Sequence, residues 1–471
     1  MLKDFLQIPR RNPQYRAGRA ADFKDVEMRP GREAVAEQSK RCMGCGISFC
    51  NAYGCPLGNS IPEFNAAVCG GRMEYAYKIL SVTSPFPEFT SRVCPALCEA
   101  ACCAGLPSDP VAIKQIEYEI IESAFNDGLV KPRSSAFHSG RRVAVIGSGP
   151  AGLACADKLC SLGHEVCVFE KRHRAGGLLR YGIPNFKLEK SVIDRRIALM
   201  GEAGITFEYD ADVGSDVSLD FLKRKFDAVA LCIGAEEPRD LKIKGRELGG
   251  IHFALEFLNS QARFLSGESD SLKISAKDKN VLIIGGGDTG SDCLGTAIRQ
   301  GAKSVVQIEI MPEPPSSRDS STPWPMWEYK KRTSSSHLEG GSRMWSVGSS
   351  EFSGENGMVC ALKAKRLKWT FENGRPKSFE EIEGSDFEIK ADLVLLCMGF
   401  TGVKRGGLVE ASGAELSPRG VLKVSQDFQT SIGGVFACGD AASGASLVVR
   451  AIASGRNLAE NIDKFFKTNV K

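Results

Sequence analysis

Residues 142–170, RVAVIGSGPAGLACADKLCSLGHEVCVFE, decide the fold. The apolar run 143–146 reads as a buried strand. Gly147, Gly149 and Gly152 then set a G-x-G-x-x-G spacing, with Pro150 and Ala151 opening a helical segment. A second apolar run, 166–169, ends in Glu170. The tight turn needs the first glycine, a pyrophosphate approaching the backbone needs the second, and close packing of helix on strand needs the third. The helix start offers unpaired N–H groups and the positive end of its dipole to phosphates. Glu170, at the tip of the second strand, is placed to accept hydrogen bonds from a ribose. An inert Gly-rich turn would explain the glycines but not an acid in register. The expectation is a βαβ unit that binds a dinucleotide.

The pattern returns in residues 280–310, NVLIIGGGDTGSDCLGTAIRQGAKSVVQIEI. Gly285, Gly287 and Gly290 repeat the spacing, Asp288 and Thr289 open the helix, and residues 305–310 form the second strand with Glu309 near its end. Two such units imply two dinucleotides, or one dinucleotide and a flavin. The second combination passes a hydride between rings. A carboxylate at Glu309 would accept from a ribose 2′-hydroxyl and repel a 2′-phosphate, which favours NADH. Arg318 is near enough in sequence to serve a phosphate, and Glu309 also reads as a solvated strand-end charge, so NADH or NADPH both stay open.

Other stretches belong to the same architecture. Gly176 and Gly177, before Leu178, permit close backbone approach. Residues 227–234, DAVALCIG, read as a buried strand ending at Gly234. Its counterpart 391–400, ADLVLLCMGF, carries Gly399. A doubly wound sheet binds its ligand at the carboxyl ends of its strands. Near the C-terminus a short strand, 435–437, leads to Gly439 and Asp440, and an amphipathic helix spans 446–465. Asp440 suits a ribityl chain. This segment returns to the first unit, so the second unit is inserted within a split flavin domain.

The chain has 471 residues, enough for about three domains. Its net charge of +4 and the lack of a basic stripe give no case for nucleic acid. No apolar run reaches membrane-spanning length, and the first residues lack a signal core, so a cytoplasmic location is expected. Seventeen cysteines are many for that compartment, where disulfides are rare. Nine fall between Cys42 and Cys103. Cys42, Cys45, Cys50 and Cys55 are spaced C-x2-C-x4-C-x4-C, and Cys94, Cys98, Cys102 and Cys103 follow. Such runs suit iron–sulfur clusters, and a cysteine before proline, as Cys55 is, can ligate the other cluster. Zinc also takes four cysteines but usually as two C-x2-C pairs, of which there is one here. Cys69, alone, reads as packing. The seven best-placed cysteines leave two four-ligand clusters one short, so the eighth ligand is Cys103 or a non-cysteine residue.

Residues 111–125 have helical spacing, and the polar stretch 131–140 marks a domain boundary. Residues 312–327 read as a loop and 330–350 as a polar region that covers a nicotinamide or contacts a partner. His337, within it, reads as a surface histidine.

Across these motifs the chain resembles the glutamate synthase small (beta) subunit family. The resemblance runs from about residue 20 to the C-terminus and rests on CMGCGISFC (42–50), GCPLGNSIP (54–62), VCPALCEAAC (93–102), VAVIGSGPAG (143–152), GGLLRYGIP (176–184), GGGDTGSDC (285–293), PWPMW (323–327), SSSH (334–337) and GVFACGD (434–440). It implies an α/β chain with two Rossmann-like domains of the disulfide-reductase type behind a mainly helical iron–sulfur domain. The expected partition is 1–135 for the head, 136–255 with 390–471 for FAD, and 256–389 for NAD(P)H. It further implies that Cys42, Cys45, Cys50 and Cys102 hold one [4Fe–4S] cluster, and Cys55, Cys94, Cys98 and Glu117 a second. Read from its residues alone, Glu117 can also be an exposed helix charge. Where this chain has Ile308-Glu309-Ile310, other members bear paired arginines. The implied activity oxidises NAD(P)H at FAD and sends electrons through the clusters to a large (alpha) subunit that makes glutamate from glutamine and 2-oxoglutarate. No acid, base or nucleophile is required. The competing expectation is an electron-transfer subunit serving ferredoxin or another dehydrogenase. A thioredoxin-reductase-like enzyme would need a C-x-x-C beside the flavin, and none follows Cys45.

Overall fold

The computed structural model describes residues 7–372 and 374–468. Among the described residues the head carries six α-helices: α1 (Arg32–Ser39), α2 (Ile61–Cys69), α3 (Met73–Thr83), α4 (Pro87–Val93), α5 (Leu97–Ala100) and α6 (Ile113–Asn126). Prolines near the starts of α2 and α4 cost no hydrogen bond, because the first N–H groups of a helix are unpaired anyway. Next come β1 (Arg142–Ile146), α7 (Pro150–Ser161), β2 (Glu165–Phe169), α8 (Leu178–Tyr181), α9 (Lys190–Glu202), β3 (Thr206–Glu208), α10 (Leu219–Lys225), β4 (Ala228–Leu231) and β5 (Glu237–Pro238). The middle of the chain forms β6 (Ile251–Phe253), α11 (Ala254–Leu265), β7 (Asn280–Ile284), α12 (Asp288–Arg299), β8 (Ser304–Ile308), β9 (Ser342–Met344), β10 (Val347–Glu355), β11 (Met358–Glu372), β12 (Arg375–Glu381), β13 (Phe387–Lys390) and β14 (Leu393–Leu396). It closes with β15 (Phe400–Gly402), α13 (Leu408–Ser412), β16 (Val435–Ala437), α14 (Asp440–Ser443) and α15 (Val448–Thr468).

Two five-stranded parallel sheets carry the nucleotide-binding units. The first runs β16-β4-β1-β2-β3 and the second β6-β14-β7-β8-β9. Strands covered by helices on both faces need continuous apolar runs, and β4 and β14 are buried at every position. The C-terminal β16 pairs with β4, so the chain does return to the first sheet. The expected limits at 255/256 and 389/390 need correction, because they leave β6 and β14 outside the second unit. Hydrogen bonding puts both strands beside each other and beside β7. A further sheet, β10-β11-β12 with β13 on β11, was not anticipated. It buries one face only, so Lys and Glu interrupt its apolar residues and no clean run shows in the sequence.

Glycine decides how tightly each helix meets its strand. A Cβ at Gly152 would lie 1.9 Å from the Gly147 carbonyl oxygen. At Gly290 it would lie 2.5 Å from the Gly285 oxygen. The head is not a loose appendage. Its Leu57, Phe86 and Phe89 share one apolar core with β1, α7 and α15. Glu88 of α4 and Arg196 of α9 form an ion pair 2.5 Å long, with side chains 0% and 3% exposed.

Candidate functional site

A cleft of about 1900 Å³ opens between the head and the two sheets. Of the residues singled out in the sequence, Gly147, Gly149, Pro150, Ala151, Glu170, Gly177, Leu178, Gly234, Asp288, Thr289, Gly399 and Asp440 line it. Gly152, Gly285, Gly287, Gly290, Glu309 and Gly439 do not line it. The glycines divide by what surrounds them. Gly152 and Gly290 are packed against backbone, whereas a Cβ on Gly149, Gly234, Gly287 or Gly399 would meet no protein atom within 4 Å. Absent side chains at the second group therefore leave room for something other than protein. Beside Gly149, the N-terminus of α7 supplies unpaired N–H groups. This donor set and open space fit a pyrophosphate.

Glu170 is 4% exposed. Its Oε2 accepts from Ser148 N at 3.1 Å and from the Ser148 hydroxyl at 2.5 Å, and its Oε1 accepts from Arg172 N at 2.9 Å. Ser148 Oγ accepts in turn from Gly176 N at 3.0 Å, joining the fingerprint to the Gly176–Gly177 turn. Asp440 follows β16 at the opposite wall, where Ser446 Oγ donates to its Oδ1 at 3.0 Å. Burial raises the Asp440 carboxyl above the ordinary carboxylate range. Lys187 crosses between the units and pairs with Asp292 of α12 at 2.5 Å.

In the second unit Glu309 Oε2 accepts from Gly286 N at 2.5 Å and Oε1 from Met311 N at 3.1 Å. His337 is not the free surface residue expected. Its ring Nδ1 meets Ser334 Oγ at 3.0 Å and Nε2 meets Gln307 Oε1 at 2.8 Å. Gln307 Nε2 then donates to the Gly285 carbonyl at 2.8 Å. Desolvation, with Arg343 and Lys187 adding to it, pushes the His337 ring down to about 4, so it is neutral at pH 7. Arg318 is committed elsewhere. It donates to the carbonyls of Thr322 (3.0 Å), Met326 (2.7 Å) and Ala100 (2.9 Å).

Two small cavities lie in the head. Cys42, Cys45, Cys50, Cys102 and Cys103 line one. Cys55, Cys94, Cys98 and Glu117 line the other. Cys69 lines neither. Glu117 is buried rather than exposed, 7% by area, and accepts a hydrogen bond from the Thr90 hydroxyl. Burial pushes the Cys45 thiol up to about 11, those of Cys50 and Cys94 up to about 12, and the Glu117 carboxyl up to about 7. Near neutral pH these thiols stay protonated in water, and the Glu117 carboxyl is only about half ionised. A soft, positively charged metal centre displaces such protons, so the donor chemistry of both cavities fits an iron–sulfur cluster. Cys94 and Lys114 line both the second cavity and the large cleft, while Ile61 and Ile113 line both cavities. The three spaces therefore adjoin in series.

Sequence reasoning missed the thiols behind the cleft. Cys232 and Cys438 lie 206 residues apart with sulfurs 3.5 Å from each other, and Cys293 and Cys397 face each other at 3.7 Å in the second unit. Cys293 ends GGGDTGSDC and Cys438 lies inside GVFACGD, but neither motif names the thiol that faces it.

Two family profiles match the chain. One, described as "Dihydroprymidine dehydrogenase domain II, 4Fe-4S cluster", covers residues 19–129. The other, "Pyridine nucleotide-disulphide oxidoreductase", covers 141–330 and 353–455. A "Glutamate synthase [NADPH] small chain" from Mycobacterium tuberculosis is 49% identical over 464 residues, spanning 98% of this chain and 93% of the relative. The chain belongs to the glutamate synthase small-chain family. The family's member from Bacillus subtilis is 40% identical, with 98% of this chain and 97% of that one covered. "Glutamate synthase [NADH]" of Saccharomyces cerevisiae is 42% identical over 98% of this chain but only 22% of its own length. Among solved structures, FprA of Mycobacterium tuberculosis shares the fold, with a TM-score of 0.55 at 18% identity over 70% of this chain and 86% of that one. This small-chain family member is thus an oxidoreductase with an iron–sulfur domain and a pyridine-nucleotide-type α/β fold. No helix among the described residues is long and apolar enough to cross a membrane.

Proposed function

We propose that this chain is the electron-input subunit of a glutamate synthase. It oxidises NAD(P)H at FAD in the large cleft. Electrons then pass through two [4Fe–4S] clusters to a large subunit, which makes glutamate from glutamine and 2-oxoglutarate in the cytoplasm. The observation that carries this reading is the serial contact of the three spaces, through Cys94 and Lys114 and then through Ile61 and Ile113. A bound flavin takes two electrons together from a nicotinamide and delivers them singly to a cluster.

The residues act by positioning. Gly149, Pro150 and the first turn of α7 receive the FAD pyrophosphate, Glu170 its ribose, and Asp440 its ribityl chain. Gly177 and Leu178 close over it. Gly287, Asp288 and Thr289 receive the nicotinamide dinucleotide, with Gly234 and Gly399 leaving room at the strand ends. Cys55, Cys94, Cys98 and Glu117 hold the cluster nearer the cleft. Cys42, Cys45, Cys50 and Cys102 hold the outer one, with Cys103 as a neighbour rather than the eighth ligand. The head to about residue 135, a split flavin unit and an inserted nucleotide unit make the three domains.

The test is an anaerobic titration of the purified holoprotein with NADH and NADPH, followed by affinity capture of its partner. Loss of flavin absorbance near 450 nm on nucleotide addition, with recovery of a glutamine-using large chain, is the expected result. A flavin that neither nucleotide bleaches overturns the reading.

A further inference from the structure

The relatives' printed names divide between NADPH and NADH, so the names do not say which nucleotide this chain takes. The geometry around Glu309 does address that choice. In the first unit Glu170 accepts from the N–H of Ser148, the residue between the first two fingerprint glycines, and from the N–H two positions after itself. In the second unit Glu309 accepts from the N–H of Gly286, again between the first two glycines, and again from the N–H two positions on. The two carboxylates hold the same station. At that station a carboxylate meets the adenosine ribose, accepting from its hydroxyls.

A 2′-phosphate there would meet the opposite environment. Glu309 lies so close against the fingerprint that a Cβ on Gly286 would fall 2.5 Å from its Oε2. The two following side chains, Ile310 and Met311, are apolar and 44% and 36% exposed. Arg318, the first cation after Glu309 in the chain, donates to three backbone carbonyls and lies 3.6 Å from Glu328. Lys331 pairs with Glu313 at 2.5 Å. Arg343 donates to the Arg332 carbonyl at 2.9 Å and to Thr333 Oγ1 at 3.2 Å. A doubly charged phosphate would thus face a carboxylate and two apolar side chains with the neighbouring cations already engaged.

We infer that the second nucleotide site is built for a free 2′-hydroxyl, that the physiological donor is NADH rather than NADPH, and that Glu309 is the residue that selects it. This rests on the reading of that site as the nicotinamide site. The test uses the full holoprotein. Calorimetric titration with NAD+ and NADP+ measures binding without turnover, and kcat/KM with an artificial acceptor measures use of NADH and NADPH. NAD+ should bind at least about tenfold more tightly than NADP+, as expected for charge-assisted hydrogen bonds gained in one case and repulsion in the other. Glu309→Gln, which keeps size but not charge, should shrink that ratio to about threefold or less by weakening NAD+ and relieving NADP+. An unchanged flavin spectrum shows the variant folded. Equal or better binding of NADP+ by the wild type overturns this inference alone, as does a Glu309→Gln variant with an unaltered ratio. Failure of both nucleotides to bind or to bleach the flavin overturns the proposed function with it.

Discussion

The two glycine fingerprints have the same spacing and the same carboxylate station, yet they sit in different surroundings. Residues 147–150 are buried or half-buried, and Glu170 behind them is enclosed. Residues 286–288 are exposed, and Glu309 is half-exposed. The first unit is closed by the Gly176–Gly177 turn, by α15 packed along α7, and by a core shared with the head. The second is held by the loop that carries Ser334 and His337 and by Lys187, which pairs with Asp292. Covering suits a cofactor that stays, and openness suits one that binds and leaves each cycle. What distinguishes the sites is not the motif but what the rest of the chain lays over it.

The strongest way to break that contrast is to uncouple the head from the first unit. Glu88→Ala leaves the Arg196 guanidinium buried without a partner, a loss of about 3–5 kcal/mol. Thermal unfolding should show a large drop in Tm and early loss of flavin. A Tm within a degree or two of wild type would mean that the head contributes little to the closed site. Next in size is a paired test of the packed glycines. Gly152→Ala would place its Cβ 1.9 Å from a backbone oxygen, costing about 2–3 kcal/mol and yielding protein with little flavin. Gly290→Ala would meet the movable Gln307 amide at 2.4 Å as well as the Gly285 oxygen, so flavin content should survive while nucleotide KM rises. Equal flavin loss in both would erase the distinction.

A smaller effect is expected at the latch. His337→Ala frees Gln307 from the loop, and KM for the nucleotide should rise about fivefold, near 1 kcal/mol, with kcat and flavin content little changed. The smallest is its pH dependence. The folded His337 value, about 4, lies below the usual 6.5. Its contribution is therefore complete above about pH 6.5 and is lost as pH falls toward 4. Hydrogen-exchange protection in residues 312–341, taken relative to the intrinsic rate at each pH, should fall over that window in wild type, and the His337→Gln variant should show no such fall.

Much of the site was legible because its chemistry is local. A glycine fingerprint between two strands, or cysteines a few positions apart, needs only short-range geometry to be recognised. Arg318 misled because its sequence distance from Glu309 says nothing of its hydrogen bonds, which run to Thr322, Met326 and, across the molecule, to Ala100. His337 misled similarly, since its partner Gln307 comes from a strand 30 residues earlier. The expected domain limits strayed because a strand's apolar run tells that it is buried but not which sheet buries it. Nothing in the runs around 251–253 or 393–396 names β7 as their neighbour.

By itself the sequence determined two βαβ units, a cysteine-rich helical head and the carboxylate after each second strand, because backbone sterics, periodicity and thiol chemistry act over a few residues. Residue spacing left the division of the cysteines open and only the resemblance implied one; the tertiary structure puts Cys55, Cys94 and Cys98 around one cavity and Cys42, Cys45, Cys50, Cys102 and Cys103 around the other. It also decided that Glu117 is buried among thiols, and that one fingerprint is covered and the other open. Those outcomes depend on burial and on contacts between distant segments, which only the folded chain brings together.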